Sequence, residues 1–337
     1  MLSFLLAALV GAAASDAPSA PPCPPLPAAC PDRLPASGTD EGAVAASAAR
    51  EFRANRSLAW LNAVRTAAGT SALERSATLS VSASRHAAYL SDNGLRSAPS
   101  IHAEATGLPA FSGVDPFVRM RVAGYRYTYA TEAVGDVGSA ALDTDCIAHL
   151  MDTIYHATLL LSRVTEGGLA YGSGDAAGTC VVDLGAPLAP PATPDATPRR
   201  IVRYPWPGMS LPTGTYRLAT ENPRPSILLL PGPTAGMPVL AGLRRAASVD
   251  AGTGERPVEL QEYTLRDAFD AVVPSVVLAD AAISGPGVVA DPALHGGFAV
   301  LVPRMPLLPG RYRVVLRATI GTETIDPTPW TFNVLQP

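Results

Sequence analysis

Pro187-Leu188-Ala189-Pro190-Pro191-Ala192-Thr193-Pro194-Asp195-Ala196-Thr197-Pro198-Arg199-Arg200 divides the chain in two. Proline fixes φ and lacks an amide donor, so this stretch reads as an extended linker outside any core. The two sides of it follow different periodicities. Upstream, apolar residues recur at helical spacing: Phe52, Leu61 and Val64 within 48–68, closed by Gly69, and Leu79, Ala83, Ala87 and Leu90 within 76–93, closed by Gly94. Asp115 before Pro116 reads as an N-cap followed by proline at the first helical position, opening a short helix that ends at Gly124. Residues 139–162 predict a fourth helix with Ile147, Leu150, Met151, Ile154 and Leu161 facing inward, and strands are expected at 125–134, 169–174 and 179–184. Helices first and strands late predict an α+β region layered as an α/β/α sandwich. Downstream, short apolar segments at 215–220, 226–230, 258–263, 273–279, 298–303, 311–319 and 330–334 are separated by proline and glycine. That pattern predicts an all-β sandwich.

Composition narrows the function classes. The chain has 337 residues, a net charge of −4 and 47% hydrophobic residues, enough for about two domains. All 25 basic residues are arginine, which excludes mechanisms built on lysine, such as a Walker A loop or a pyridoxal Schiff base. No broad basic surface points to nucleic acid as a partner. Leu2 to Ala14 is an apolar run ending in small residues, too short to span a bilayer and resembling a signal peptide. The expected order is a signal peptide over 1–15, a Pro/Ala-rich tether over 16–45, domains over 46–186 and 201–337, and the linker over 187–200 between them. No later segment has the length and apolarity of a transmembrane helix. Secretion or a periplasmic location is expected, with an envelope component, a protein or a small molecule as partner.

Four cysteines fit an oxidising compartment and allow three pairings. The favoured one joins Cys146, on the inner part of the fourth helix, to Cys180, on a strand expected beneath it, and Cys23 to Cys30 in the tether. No C-x-x-C occurs, so a cysteine metal site is not expected.

Five histidines remain as candidates for chemistry near neutral pH. His86 lies in the second helix and reads as structural or half-exposed. His295, beside two glycines, reads as a turn residue. His149 and His156 are seven apart, which on one continuous helix places them ~10 Å apart on the same face, too far to share an ion.

The order of several short motifs resembles the CAP superfamily of cysteine-rich secretory proteins, antigen 5 and pathogenesis-related 1 proteins, also called SCP domains. Asn62 and Arg65 with Gly69 resemble its opening helix, and Leu79 to Leu90 its second. Ile101-His102-Ala103-Glu104 through Gly107, Phe111-Ser112-Gly113, Pro116, Arg119 and Gly124-Tyr125 resemble a bacterial form of its central segment. Thr131-Glu132 stands at the family's E-N pair, Leu150-Met151-Asp152-Thr153-Ile154-Tyr155-His156 is similar to W-M-x-S-x-x-H, and 168–172 with 180–185 resemble its closing hairpin. The resemblance covers about 140 residues, one domain's length. It implies an α/β/α fold with His102 and His156 as paired imidazoles, Glu132 as the acid and Glu104 as a further member of the cleft. Two neutral imidazoles with a carboxylate suit a divalent cation such as zinc, with His102 and His156 as metal ligands. Without metal, the carboxylate would hydrogen-bond an imidazole instead. Downstream, Leu307-Leu308-Pro309-Gly310-Arg311-Tyr312-Arg313-Val314 resembles the tyrosine corner of immunoglobulin-like sandwiches.

The sequence departs from the family at the edges of the cleft: Ala133 follows Glu132, Ala157 follows His156, and Leu150 and Thr153 replace Trp and Ser. Catalytic groups need such supporting neighbours, so the ranking places a secreted binding or interaction module first. A metal-dependent hydrolase using His102, Glu132 and His156 is second, and a structural or adhesive protein third. No G-x-S-x-G or H-E-x-x-H occurs, which excludes a nucleophile elbow and a zincin protease.

Overall fold

The structure is a computed structural model that describes residues 40–95, 98, 100–138, 145–188, 201–218, 221, 225, 232–243, 257–294, 296–325 and 328–336. The signal peptide, the tether up to position 39 with Cys23 and Cys30, His295, most of the linker and the strand expected at 226–230 lie outside the described residues.

The upstream region has helices α1 (Asp40–Ala68), α2 (Ala77–Asn93), α3 (Pro116–Val122), α4 (Asp145–Met151) and α5 (Ile154–Leu160), with strands β1 (Glu74–Arg75), β2 (Tyr127–Asp136), β3 (Glu166–Tyr171) and β4 (Thr179–Pro187). The strands form one sheet in the order β1-β3-β4-β2, antiparallel except for the β1–β3 pair. Alternation along β4 sorts the layers. Cys180, Val182 and Leu184 pack with the apolar residues of α1, α4 and α5. Val181 faces the other way, against Ala83, Ala87 and Leu90 of α2. Adjacent side chains of a strand point to opposite faces, so one strand serves two helical layers. Gly168 marks the closest approach: a Cβ there would stand 2.2 Å from the backbone of Leu79 and Ser80.

Asn62 and Arg65, recognised in the sequence as a motif, act on backbone. Asn62 exchanges two hydrogen bonds with Leu73, at 2.7 and 3.0 Å. The fully buried Arg65 guanidinium donates to the carbonyls of Ser71, Leu160, Ser162 and Val164 at 2.6–2.9 Å. It thereby satisfies the carbonyl end of α5, where a cation also opposes the helix dipole. Burial pulls its pKa down to about 10.

Two expectations need correction. The first helix begins at Asp40, before position 46, and Phe52 is 58% exposed on it, outside the core. The single helix expected over 139–162 is two helices with a break at Asp152 and Thr153. Thr153 turns its hydroxyl back onto Leu150 O at 2.8 Å, and the new helix start has its own partner, Glu221, described below. His149 and His156 therefore lie on different helices. His86 is fully buried, which bears out the structural of its two expected roles.

Cys146 and Cys180 form a disulfide with Cα atoms 6.0 Å apart, tying α4 to β4.

Every named element among the described residues of the downstream region is a strand. One sheet runs in the order β12 (Ile283–Ser284), β10 (Val258–Arg266), β15 (Gly310–Ile320), β17 (Trp330–Val334), β6 (Ser210–Leu211), with β16 (Glu323–Ile325) also paired to β15. A second runs β13 (Val288–Ala290), β11 (Ser275–Ala279), β14 (Phe298–Pro303), β9 (Val239–Gly242), β5 (Val202–Tyr204), and β7 (Thr215–Arg217) pairs with β8 (Thr234–Gly236). Tyr312, Val314, Leu316 and Ala318 alternate inward on β15, as Trp330, Phe332 and Val334 do on β17. The Tyr312 hydroxyl donates to Leu308 O at 2.8 Å, the backbone-pinning bond of a tyrosine corner. The short strands β5, β9 and β13 are not legible from alternation, because strands of two to four residues offer too few positions to show a period.

Candidate functional site

The site grows from β2, an edge strand of the sheet. Glu132 projects from it toward the α2 and α3 side and is buried. One of its oxygens meets His102 Nδ1 at 2.9 Å, and the other accepts from Arg119 Nη2 at 2.7 Å. Arg119 comes from α3, which Asp115 caps by accepting from Val118 N at 2.8 Å, with Pro116 at the first position as the sequence predicts. The same guanidinium donates to the carbonyls of His102 at 3.0 Å and Gly113 at 3.4 Å. One buried cation thus holds the His102 loop against the strand that carries Glu132. Burial alone would raise the Glu132 pKa, but the His102 bond and the charges of Arg119, His86 and His102 outweigh it and hold the carboxyl below its ordinary range.

Glu104 stands one step further in. It meets His86 Nδ1 at 2.9 Å, accepts from the amides of Ser112 and Gly113, and lies 3.7 Å from Arg119 Nε. Burial works to raise its pKa, yet the His86 and Ser112 bonds and Arg119 bring it down. His86 Nε2 faces the Ile101 carbonyl at 2.9 Å. Glu104 and His86 are in this way the internal frame of the 101–113 loop.

His156 lies on α5, which packs on β2 from the opposite layer. Its Nδ1 is 2.9 Å from Thr153 Oγ1, so the residue that ends α4 also orients this ring. Burial, then the nearby charges of His102 and His149, pull its pKa down to about 4. With its pKa held that low, His156 is neutral at physiological pH. His149 is itself lowered by burial.

Arg119, His86 and Asp183 belong to the constellation although sequence reasoning gave them no role in it. Asp183 is the direct cross-strand partner of Glu132, fully buried, and neither of its oxygens has a hydrogen-bond partner within ordinary distance. Burial, then the charge of Glu132, push its pKa well up. The signal for His86 was present: it falls within the apolar stripe of α2, beside Ala83 and Ala87, where a polar ring demands a partner. Asp183 also carried a signal, being a carboxylate in an otherwise apolar strand.

The donors do not fit the three-ligand zinc site that the family resemblance implies. Both Glu132 oxygens are committed to His102 and Arg119. Among the described residues no group of three or more His, Cys, Asp or Glu side chains is arranged to hold a metal ion. What the arrangement offers is two oriented imidazoles, one of them 34% exposed, backed by a buried ion pair.

Residues 58–184 match the model of the cysteine-rich secretory protein family, CAP. Among solved structures, the chain is similar to an extracellular protein containing an SCP domain from Bacillus anthracis str. Ames, at 15% identity and a TM-score of 0.36, covering 45% of this chain and 45% of that one. The chain thus spans less than half the length of that protein. It is also similar to PcoC, a methionine-rich copper resistance protein from Escherichia coli, at 17% identity and a TM-score of 0.22, covering 39% of this chain and 92% of that one, and to the selenomethionine form of PcoC at 16% identity. No curated protein matches. No helix among the described residues is long and apolar enough to cross a membrane. The order of the motifs, the layered sheet and the family match agree: residues 58–184 form a CAP domain of the cysteine-rich secretory protein family.

Proposed function

We propose that the protein works outside the cytoplasm as a binding module, at the cell envelope or beyond it, and that the cleft around His102, Glu132 and His156 takes the ligand. The observation that carries this reading is the commitment of Glu132, whose oxygens are occupied by His102 and Arg119. A carboxylate held at both oxygens orients an imidazole and is not free to attack or to activate water. With Nδ1 engaged, His102 offers Nε2 to a ligand, and the neutral His156 offers a second hydrogen-bonding ring. The leader over 1–15 and the Cys146–Cys180 disulfide support export to an oxidising compartment. The proline-rich segment upstream of α1 supports a display role, holding the folded regions away from a surface.

The test is co-sedimentation of the purified mature chain with cell-envelope fractions of the producing organism, beside His102→Ala and the surface variant Phe52→Ala. Retention that His102→Ala weakens and Phe52→Ala leaves intact supports the reading. Retention unaffected by His102→Ala, or turnover of an envelope component by the wild type, overturns it.

A further inference from the structure

Helix α5 is seven residues long, too short to hold itself together, and its two ends are held by buried charges of the sign that each end prefers. At the carbonyl end stands Arg65, from the same domain. At the amide end stands Glu221, from the strand-rich region. Glu221 is 2% exposed, and its carboxylate accepts from Ile154 N at 2.6 Å, Tyr155 N at 3.2 Å and the Tyr216 hydroxyl at 2.5 Å. No side chain of the CAP domain is hydrogen-bonded to those two amides among the described residues; the N-cap residue, Thr153, makes no side-chain cap bond. Beside this contact the Tyr155 hydroxyl donates to Asp291 Oδ2 at 2.8 Å, so the strand-rich region grips both the backbone and a side chain of the helix start. Apolar packing is continuous from Ile154 and Leu160 into the downstream core.

We propose that Glu221 is a positioning residue for the cleft: by completing the amide end of α5 it sets the orientation of His156, so that the strand-rich region is a working part of the CAP site and not a spacer beyond it. His156 is two residues past the first capped amide, on the first turn of the helix, where the direction of a side chain follows the cap most closely. His102 hangs from the 101–113 loop and is held by Glu132 and Arg119, with no contact to Glu221. The two imidazoles are thus supported independently, one from within the CAP domain and one from across the domain boundary. The proposal rests on the reading of His156 as a cleft residue, but its measurements need no ligand.

The experiment uses the full chain with Glu221→Ala and Glu221→Gln, followed by amide hydrogen exchange and by the ring resonances of His156 and His102 at pH 7. Glu221→Ala should speed exchange at Ile154 and Tyr155 by about tenfold or more, the factor to which the net free energy of a hydrogen bond to a charged group corresponds. It should shift the His156 ring signals while leaving those of His102 in place. Glu221→Gln keeps one carbonyl acceptor and should restore part of both effects. Unchanged exchange and an unchanged His156 ring in Glu221→Ala overturn the proposal, as does equal movement of both rings in the folded Glu221→Gln chain, which marks a general loosening. Should Glu221→Ala not fold, the Glu221→Gln chain decides alone: faster exchange at Ile154 and Tyr155 with a shifted His156 ring supports the proposal, and wild-type values refute it. A positive result here together with failed envelope binding in the His102 test would leave the coupling standing and remove only the binding role.

Discussion

Arg119→Leu tests the buried frame of the site. The guanidinium is fully buried, donates to Glu132 at 2.7 Å and to the His102 carbonyl at 3.0 Å, and lies 3.7 Å from Glu104. Leucine fills most of the side-chain stem and removes the charge. Two carboxylates are then left in a buried space without their shared cation. Breaking a buried pair by removing one partner costs about 3–5 kcal/mol, because the remaining charge is neither hydrated nor neutralised. With a urea m-value of roughly 2–3 kcal/mol/M, the midpoint should fall by about 1–2 M. Equilibrium urea denaturation at pH 7 measures it, with Glu132→Gln and the double variant completing a cycle. Glu132→Gln removes the charge that Arg119 chiefly neutralises, so the double variant should recover roughly 1–3 kcal/mol relative to the sum of the singles. A loss below about 1 kcal/mol for Arg119→Leu, or additivity within ~0.5 kcal/mol, would show that the guanidinium is not what compensates Glu132.

Replacing Cys146 and Cys180 together by serine opens a loop of 34 residues and should lower stability by about 4 kcal/mol on the chain-entropy account, read as a lower thermal midpoint under non-reducing conditions. His156 titrates at about 4 in the folded chain against an ordinary 6.5. Between those values the unfolded chain takes up a proton that the folded chain refuses, so stability is present above about pH 6.5 and lost as the pH falls toward 4, by up to about 3 kcal/mol. Thermal midpoints across pH 4–7 should flatten in a His156→Gln variant, and parallel curves would contradict the assignment. Gly168→Ala places a Cβ 2.2 Å from the Leu79 and Ser80 backbone and should destabilise by about 3 kcal/mol or more, with wild-type stability refuting the close packing of α2 on β3. Tyr312→Phe removes only the bond to Leu308 O and should cost about 1 kcal/mol in chemical denaturation.

Much of this protein was legible residue by residue. Helix periodicity, the Asp115-Pro116 start and the glycine stops located α1 to α3, because these signals are local and act within one or two turns. The alternation on β15 and β17 and the Pro-Gly-x-Tyr corner announced the strand-rich region for the same reason. The order of motifs pointed to the family fold, and Cys146–Cys180, the favoured of three pairings, is the disulfide that the structure contains.

Tertiary structure decided what depends on groups distant in sequence. The break between α4 and α5 has only a weak local mark, Thr153, since the carboxylate that lets a new helix start there belongs to Glu221 in another region. Asp183 became the buried cross-strand partner of Glu132 only when β2 and β4 paired in register. Glu104, expected beside the cleft, was drawn inward by His86 and Arg119. Arg65 and Arg119 stood out as motif residues, but their burial as cations was decided by the carbonyls and carboxylates that folding gathers around them. Periodicity is written in neighbouring residues, whereas the compensation of a buried charge is written in whichever partners the fold brings within about 3 Å, and no local pattern records that.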